Sequence, residues 1–261
     1  MQTGRSPLND TAGLPYPRIQ QVLRGIKRQY GKPRRERLPV TTDLLRAVHR
    51  QLTANATRDA LVYQCAFSIA VYALLRVSEF TCPRTAEFDP SRQANLQDLQ
   101  VFPSLEAPQY ATLLIRTSKT DPFRNSHEVT IHATGQPDCP VGIVSRYLKA
   151  NLHRAGTTPL FVLANGAFLT RGAVCKALRE SLRDLGLNDR AYAPHSFRIG
   201  GTVSLAAAGI PTYVLAILGR WASDSYLLYL KLTPAVLADV YRRLGKVTAT
   251  NVISRGSAGR R

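Results

Sequence analysis

Acidic residues are scarce in this sequence. Seventeen Asp and Glu stand against 35 Lys and Arg in 261 residues, which gives a formal net charge of +18 and a pI near 10.4. So large an excess goes beyond what solubility requires and indicates a polyanionic partner, of which nucleic acid fits best. A membrane surface is the weaker alternative, because no apolar run reaches transmembrane length and no signal peptide opens the chain.

The patterns that would indicate a metal, a disulfide framework or a nucleotide are also missing. The cysteines are scattered without a C-x-x-C pair, at Cys65, Cys82, Cys139 and Cys175. This spacing predicts reduced thiols in an intracellular protein. There is no G-x-x-x-x-G-K-[ST] loop for ATP, and no carboxylate cluster suggests Mg²⁺. We therefore expect neither a cofactor nor a metal.

Hydrophobic spacing and turn residues predict the elements of the chain. A helix over 16–30 precedes a basic segment, GKPRRER, at 31–37. Thr41 to Asp43 cap a second helix, and an apolar helix follows from about Arg58 to Phe80. Two strands, 110–117 and 128–133, form a hairpin, and further helices cover 140–151 and 172–185. The predicted fold class is α+β, mainly α with a small antiparallel sheet or hairpin.

The stretch from Ala193 to Leu230 combines polar side chains with apolar helical runs. His195 and Arg198 are three residues apart and would share one face of a helix. Trp221 and Tyr229 are eight apart, so a helix would place them on roughly one side. Two cations, an indole and a phenol are the groups that phosphoryl transfer to a tyrosine would need.

A further arginine lies in the segment ALLRVSEF. Arg76 and Glu79 are three residues apart and can pair, which on an exposed surface would contribute little to stability. The neighbours of Arg76 are apolar, however, and an unpaired arginine in a buried helix would be costly. We therefore expect Arg76 at the edge of a cleft, oriented by Glu79.

The motif HSFRIGG followed by LGRWASDSYLLYL resembles the C-terminal signature of the tyrosine recombinases, in particular those of DIRS-like and Crypton-like mobile elements. LLRVSEF resembles the segment of the family's first arginine, and SKTDPFR that of its β-hairpin lysine. The resemblance implies a DNA breaking–rejoining catalytic domain over 38–245. Residues 1–37 would be the last helix of an N-terminal core-binding domain with a basic linker, and 246–261 a basic tail.

The resemblance also implies the chemistry. Tyr229 would attack a DNA phosphodiester and form a 3′-phosphotyrosyl intermediate, without a cofactor. Two arginines would hold the phosphate, Lys119 would act as general acid, His195 would assist proton transfer and Trp221 would donate to the phosphate or support the site. The implied catalytic set is Arg76, Lys119, His195, Arg198, Trp221 and Tyr229. The gap from Trp221 to Tyr229 is eight, where the family commonly has nine, and Tyr226 is the rival nucleophile.

The expected partner is double-stranded DNA, contacted by Arg34, Arg35, Arg37 and Arg124. As the resemblance implies, the protein would assemble as a homo-oligomer, a tetramer, on DNA. A helix over 234–244 would pack either on its own domain or on a neighbouring protomer. Localisation would be nuclear in a eukaryote and otherwise cytoplasmic.

Two other functions remain open at this point. A type IB topoisomerase-like enzyme would relax DNA with the same residues. A non-catalytic DNA-binding protein derived from a recombinase would bind DNA and form no covalent adduct.

The basic linker generates the first prediction. Replacing Arg34, Arg35 and Arg37 together with Ala should flatten the plot of log affinity against log salt. Each lost phosphate contact removes roughly 0.9 from its slope, because fewer counterions are released on binding. Fluorescence anisotropy of a labelled duplex, titrated at several NaCl concentrations, measures the slope. An unchanged slope would exclude this segment from the DNA interface.

Overall fold

The computed structural model describes residues 37–55, 58–117 and 126–221, with Gln21, Val22, Gly25, Gln29 and Leu227 as isolated positions. Within these residues the helices are α1 (Thr42–Ala54), α2 (Ala60–Tyr72), α3 (Pro140–Ala150), α4 (Arg171–Asp184), α5 (Ser196–Ala207) and α6 (Thr212–Leu218). The strands are β1 (Leu99–Pro103), β2 (Pro108–Ile115) and β3 (His127–His132), and short 3₁₀ turns cover Val77–Glu79, Leu96–Asp98 and Asp189–Ala191. The predicted α+β class, mainly α with a small antiparallel sheet, is confirmed.

Helix α2 lies at the centre of the core. Its sequence is apolar on nearly all sides, and α1, α3 and α5 pack around it. The Phe67 ring of α2 packs on the Phe197 ring of α5, with the ring centroids 4.8 Å apart. A helix buried on every side fixes its neighbours on several faces. The position of α5, which carries the predicted Arg198, is therefore set by the core.

Helix α2 is shorter than its sequence predicts. The prediction extended it to Phe80, but the helix ends at Tyr72 and the chain turns at Leu74, whose φ is 49°. The N–H of Leu75 donates to the Ala70 carbonyl at 3.0 Å, which closes the helix end. Arg76 consequently lies in the turn after the helix, at the start of the Val77–Glu79 3₁₀ turn.

The sheet is antiparallel in the order β1-β2-β3. The predicted hairpin is confirmed as β2 and β3, which pair from Tyr110 opposite His132 to Ile115 opposite His127. Strand β1 was not predicted. Helix α3 packs on all three strands. Among the described helices, none has both the length and the apolar character that crossing a bilayer requires.

Two adjacent glycines bring α5 close to its neighbours. A Cβ at Gly200 would lie 1.8 Å from the carbonyl oxygen of Val40, and one at Gly201 would lie 2.2 Å from that of Val71. Val40 also donates its N–H to the Ser196 carbonyl at 2.9 Å. The glycine pair of HSFRIGG therefore serves close backbone packing, which carries the first turn of α5 into the interior.

This packing generates the second prediction. Gly200→Ala should lower the free energy of unfolding by about 2 kcal/mol or more, because the added methyl overlaps backbone that has to move. Gly172→Ala is the matched control. Its Cβ would meet the Thr170 hydroxyl at 3.7 Å, an ordinary contact, at an exposed position in the first turn of α4. The control should gain roughly 0.5 kcal/mol through lower unfolded-chain entropy. Urea unfolding measures both, and equal effects at the two sites would contradict the assigned role of Gly200.

Candidate active site

Arg198 is the most deeply buried cation of the candidate site, with 1% of its surface exposed. Its guanidinium donates hydrogen bonds to the carbonyl oxygens of Leu74 and Gly219. Its Cζ lies 4.4 Å from the centroid of the Trp221 ring, which is cation–π geometry. Arg198 therefore connects the chain after α2, the C-cap of α6 and Trp221, three residues beyond the end of α6.

Helices α2 and α6 end in similar left-handed turns. Leu74 and Arg220 adopt left-handed φ values of 49° and 53°. In each case the next residue, Leu75 or Trp221, donates its N–H to the carbonyl five positions earlier at 3.0 Å. A left-handed residue other than glycine costs on the order of 1 kcal/mol. The carbonyl ends of both helices carry partial negative charge, so a buried cation is stabilised between them.

Glu79 holds a second group of charges. Its side chain is 1% exposed and accepts from the Arg76 N–H at 2.9 Å and from the Arg76 guanidinium at 3.1 Å. The Arg220 guanidinium donates to the same carboxylate at 2.9 Å. The prediction that Glu79 pairs with Arg76 is confirmed. The carboxylate also holds Arg220, which the sequence analysis did not single out.

The electrostatics of this group favour an anion. One carboxylate faces two guanidiniums, so Arg76, Glu79 and Arg220 together carry one more positive than negative charge. Burial lowers the pKa of the Arg220 guanidinium below its ordinary value; the positive charge of Arg76 lowers it further, against the opposing effect of Glu79. A lowered pKa means that the charged form of Arg220 is disfavoured here, and a nearby anion would offset that cost.

His195 and Trp221 lie on different sides of the chain segment that carries Arg198 and α6: His195 precedes α5, and Trp221 follows α6. His195 is exposed and immediately precedes α5, one turn before Arg198. Trp221 lies beyond α6, in non-helical chain, so the helical spacing considered for Trp221 and Tyr229 does not apply at Trp221 itself. The Trp221 ring lies against Gly219, where a Cβ would come within 1.9 Å of it.

The remaining predicted site residues lie in other parts of the chain. Six of them lie outside the described residues: Arg34, Arg35, Lys119, Arg124, Tyr226 and Tyr229. Arg37 is described, and its guanidinium donates to the Arg190 carbonyl at 2.8 Å. Of the predicted catalytic set, the structure brings Arg198 and Trp221 into contact and places His195 one helical turn from Arg198. Arg198 also bonds the Leu74 carbonyl, two residues before Arg76.

Arg220 is the residue of this region that the sequence analysis missed. The available signal was its position, since Arg220 precedes Tyr229 by nine residues, the gap that the resemblance associates with the site. No group of three or more His, Cys, Asp or Glu side chains in the described ranges is arranged to hold a metal ion. The chemistry of the described cluster is that of guanidinium donors around an anion.

Comparison with known proteins finds solved structures of similar fold but no match by sequence. No protein-family model matches the chain. No curated protein matches it either. The XerH site-specific recombinase bound to its palindromic difH substrate, in a post-cleavage complex, is 12% identical with a TM-score of 0.57, over 80% of this chain and 53% of that one. XerA recombinase is 16% identical with a TM-score of 0.55, over 83% and 66%.

A transposon integrase gives a similar result. The Tn1549 integrase in complex with circular intermediate DNA is 13% identical, with a TM-score of 0.52 over 87% of this chain and 76% of that one. Relative to the XerH recombinase, this chain spans about half of that protein's length. It has the fold of the tyrosine recombinase catalytic domain, with helices and a small three-stranded antiparallel sheet.

The shared carboxylate generates the third prediction. Glu79→Gln should lower the free energy of unfolding by about 2–3 kcal/mol, because two guanidiniums lose their counter-charge in a largely buried setting. Glu87→Gln is the matched control, since Glu87 also pairs with an arginine three residues before it, Arg84, but is 55% exposed. The control should change stability by less than about 0.5 kcal/mol. Chemical denaturation measures both, and equal losses would contradict a special role for Glu79.

Proposed function

We propose that this chain cleaves and rejoins DNA strands through a covalent 3′-phosphotyrosyl intermediate, as a tyrosine recombinase of a mobile element. The observation that carries the proposal is the set of arginines at the ends of α2 and α6: Arg198 joins the two ends against Trp221, and Glu79 joins Arg76 to Arg220. It occurs in the fold of the tyrosine recombinase catalytic domain and in a chain of net charge +18. Guanidiniums grouped around one place are suited to a phosphodiester and to the charge that grows on it during displacement.

In the proposed step the phenolic oxygen of Tyr229 forms a bond to phosphorus, and the bond from phosphorus to the 5′ oxygen breaks. Lys119 gives a proton to the departing 5′ oxygen, which leaves as a hydroxyl, and His195 assists removal of the phenolic proton. The phosphotyrosyl ester conserves the bond energy. A 5′-hydroxyl can therefore reverse the step on the same or another strand without a nucleotide cofactor.

Arg198 has a role beyond charge in this proposal. Its described hydrogen bonds go to two main-chain carbonyls, so it holds the ends of α2 and α6 together whatever else it contacts. Arg198→Ala would leave two carbonyls without that donor, at a cost of about 1–3 kcal/mol for each buried group. A loss of activity in Arg198→Ala would therefore combine the effect of the lost charge with that of a destabilised fold. Variants of the nucleophile separate the two more cleanly.

We further propose the finer assignments that the sequence motifs favour. The motifs HSFRIGG and LGRWASDSYLLYL favour a DIRS-like or Crypton-like element, and hence a nuclear protein that acts as a tetramer on double-stranded DNA. Residues 38–245 would form the catalytic domain, after a segment that ends in the basic linker and before a basic tail. Arg34, Arg35, Arg37 and Arg124 would contact the DNA backbone.

The fourth prediction tests the nucleophile. The purified protein is incubated with a pool of randomised duplexes lightly nicked with DNase I, so that a short fragment can leave after cleavage and trap the adduct. Wild type and Tyr226→Phe should yield DNA that stays bound to protein in SDS, whereas Tyr229→Phe should yield none. The trapped strand should resist a 3′ exonuclease and remain open to a 5′ exonuclease, because the protein occupies its 3′ end.

The controls distinguish the competing functions. Tyr229→Phe should bind duplex DNA with wild-type affinity, since it loses one oxygen atom. Adducts that survive in Tyr229→Phe and vanish in Tyr226→Phe would move the nucleophile to Tyr226. Relaxation of supercoiled plasmid without sequence preference would favour the topoisomerase-like function. DNA binding without any adduct from wild type would favour a non-catalytic DNA-binding protein.

A further inference from the structure

Arg220 shares its carboxylate partner with the first arginine of the proposed site. Its guanidinium and that of Arg76 donate to the two oxygens of Glu79, at 2.9 and 3.1 Å. A single carboxylate that accepts from two guanidiniums brings their cationic ends to the same place. Arg220 therefore lies beside Arg76, although it belongs to neither the first arginine motif nor the HSFRIGG motif.

Arg220 is more accessible than the arginine previously assigned as a phosphate clamp. The side chains of Arg76 and Arg220 are 23% and 18% exposed, whereas 1% of the Arg198 surface is exposed. The described donors of Arg198 face main-chain carbonyls of two helix ends. A phosphate that approaches from solvent can meet Arg76 and Arg220 at their partly open surface.

Trp221, the neighbour of Arg220, has a different environment. Its ring covers the Arg198 guanidinium at 4.4 Å and lies against Gly219. The left-handed backbone of Arg220 turns the chain between the two residues, so that Arg220 meets Glu79 and Trp221 meets Arg198. The tryptophan thus supports the buried arginine, while the residue before it joins the Arg76 group.

We propose that Arg220 is a catalytic residue that contacts a nonbridging oxygen of the scissile phosphate together with Arg76, while Trp221 positions Arg198. This inference rests on the proposed function. Arg220 stays protonated throughout and donates hydrogen bonds as negative charge grows on the phosphate, so it transfers no proton. The nine-residue interval from Arg220 to Tyr229 agrees with this assignment.

The fifth prediction tests Arg220 by removing the charge it would neutralise. Adduct formation is measured on two nicked duplexes that carry either a phosphodiester or an uncharged methylphosphonate at the scissile position, in the sequence recovered from the randomised pool. Arg220→Gln should slow the reaction roughly 10²–10³-fold on the phosphodiester. On the methylphosphonate the loss should be much smaller, because the negative charge that the phosphodiester carries at this position is absent. Arg84→Gln, which removes an exposed, paired arginine, is the control and should keep wild-type rates on both.

A conservative variant and a second readout separate charge from structure. Arg220→Lys keeps the charge without the planar fork and should recover part of the phosphodiester rate. An equal loss on both duplexes by Arg220→Gln would overturn the proposal and leave Arg220 a structural partner of Glu79. Trp221→Phe keeps an aromatic ring over Arg198 and should slow adduct formation on both duplexes by the same factor. If Trp221→Phe instead matches wild type on the methylphosphonate and is slow only on the phosphodiester, the phosphate contact belongs to Trp221.

Binding of inorganic phosphate tests the same site without catalysis. At constant ionic strength, added phosphate should raise the Tm of wild type and Arg84→Gln, since a ligand of the folded state stabilises it. The same phosphate concentration should raise the Tm of Arg220→Gln by a smaller amount. Equal shifts in Arg220→Gln and wild type, or no shift in wild type, would overturn the proposal. If wild type forms no adduct on any duplex, the proposed function fails and this measurement alone decides whether Arg220 binds an anion.

Discussion

The buried guanidinium of Arg198 is the interaction on which the candidate site depends. A helix end leaves carbonyl groups without intrahelical partners, and a buried carbonyl without a donor is costly. Arg198 supplies donors to the ends of two helices at once, and the Trp221 ring covers it. Because α2 and α6 both finish in left-handed turns, one side chain can satisfy both. The same turns aim Arg76 and Arg220 at Glu79.

This arrangement requires the backbones to approach closely. Gly200 and Gly201 follow Arg198 in α5, and side chains at either position would overlap the main chain of Val40 or Val71. The glycines therefore control how far the first turn of α5 enters the core, and hence whether the guanidinium reaches the end of α2. Core packing and site geometry are thus set by the same short motif.

The sequence predicted the parts that local chemistry decides. The cap at Thr41 forms as its hydroxyl indicates, the β2–β3 hairpin follows its strand pattern, and Arg76 pairs with Glu79 three residues later. The left-handed turn at Leu74 could not be predicted in this way, because leucine gives no stop signal and the turn depends on contacts across the fold. The same reason explains why the prediction extends α2 too far and does not identify Arg220. Strand β1 exists through pairing with β2, which no pattern within five residues reveals.

The sequence separation of these contacts has a consequence during synthesis. Arg198 bonds a residue 124 positions earlier, and Arg220 bonds Glu79 across 141 positions. A ribosome exposes the chain from its N-terminus, so the first arginine and its carboxylate emerge long before their partners. Contacts at such separation form after much of the chain has been ordered, since loop closure has to precede them. A nascent chain can therefore hold a folded core around α2 and α3 while the cluster of Arg76, Glu79 and Arg220 is still incomplete.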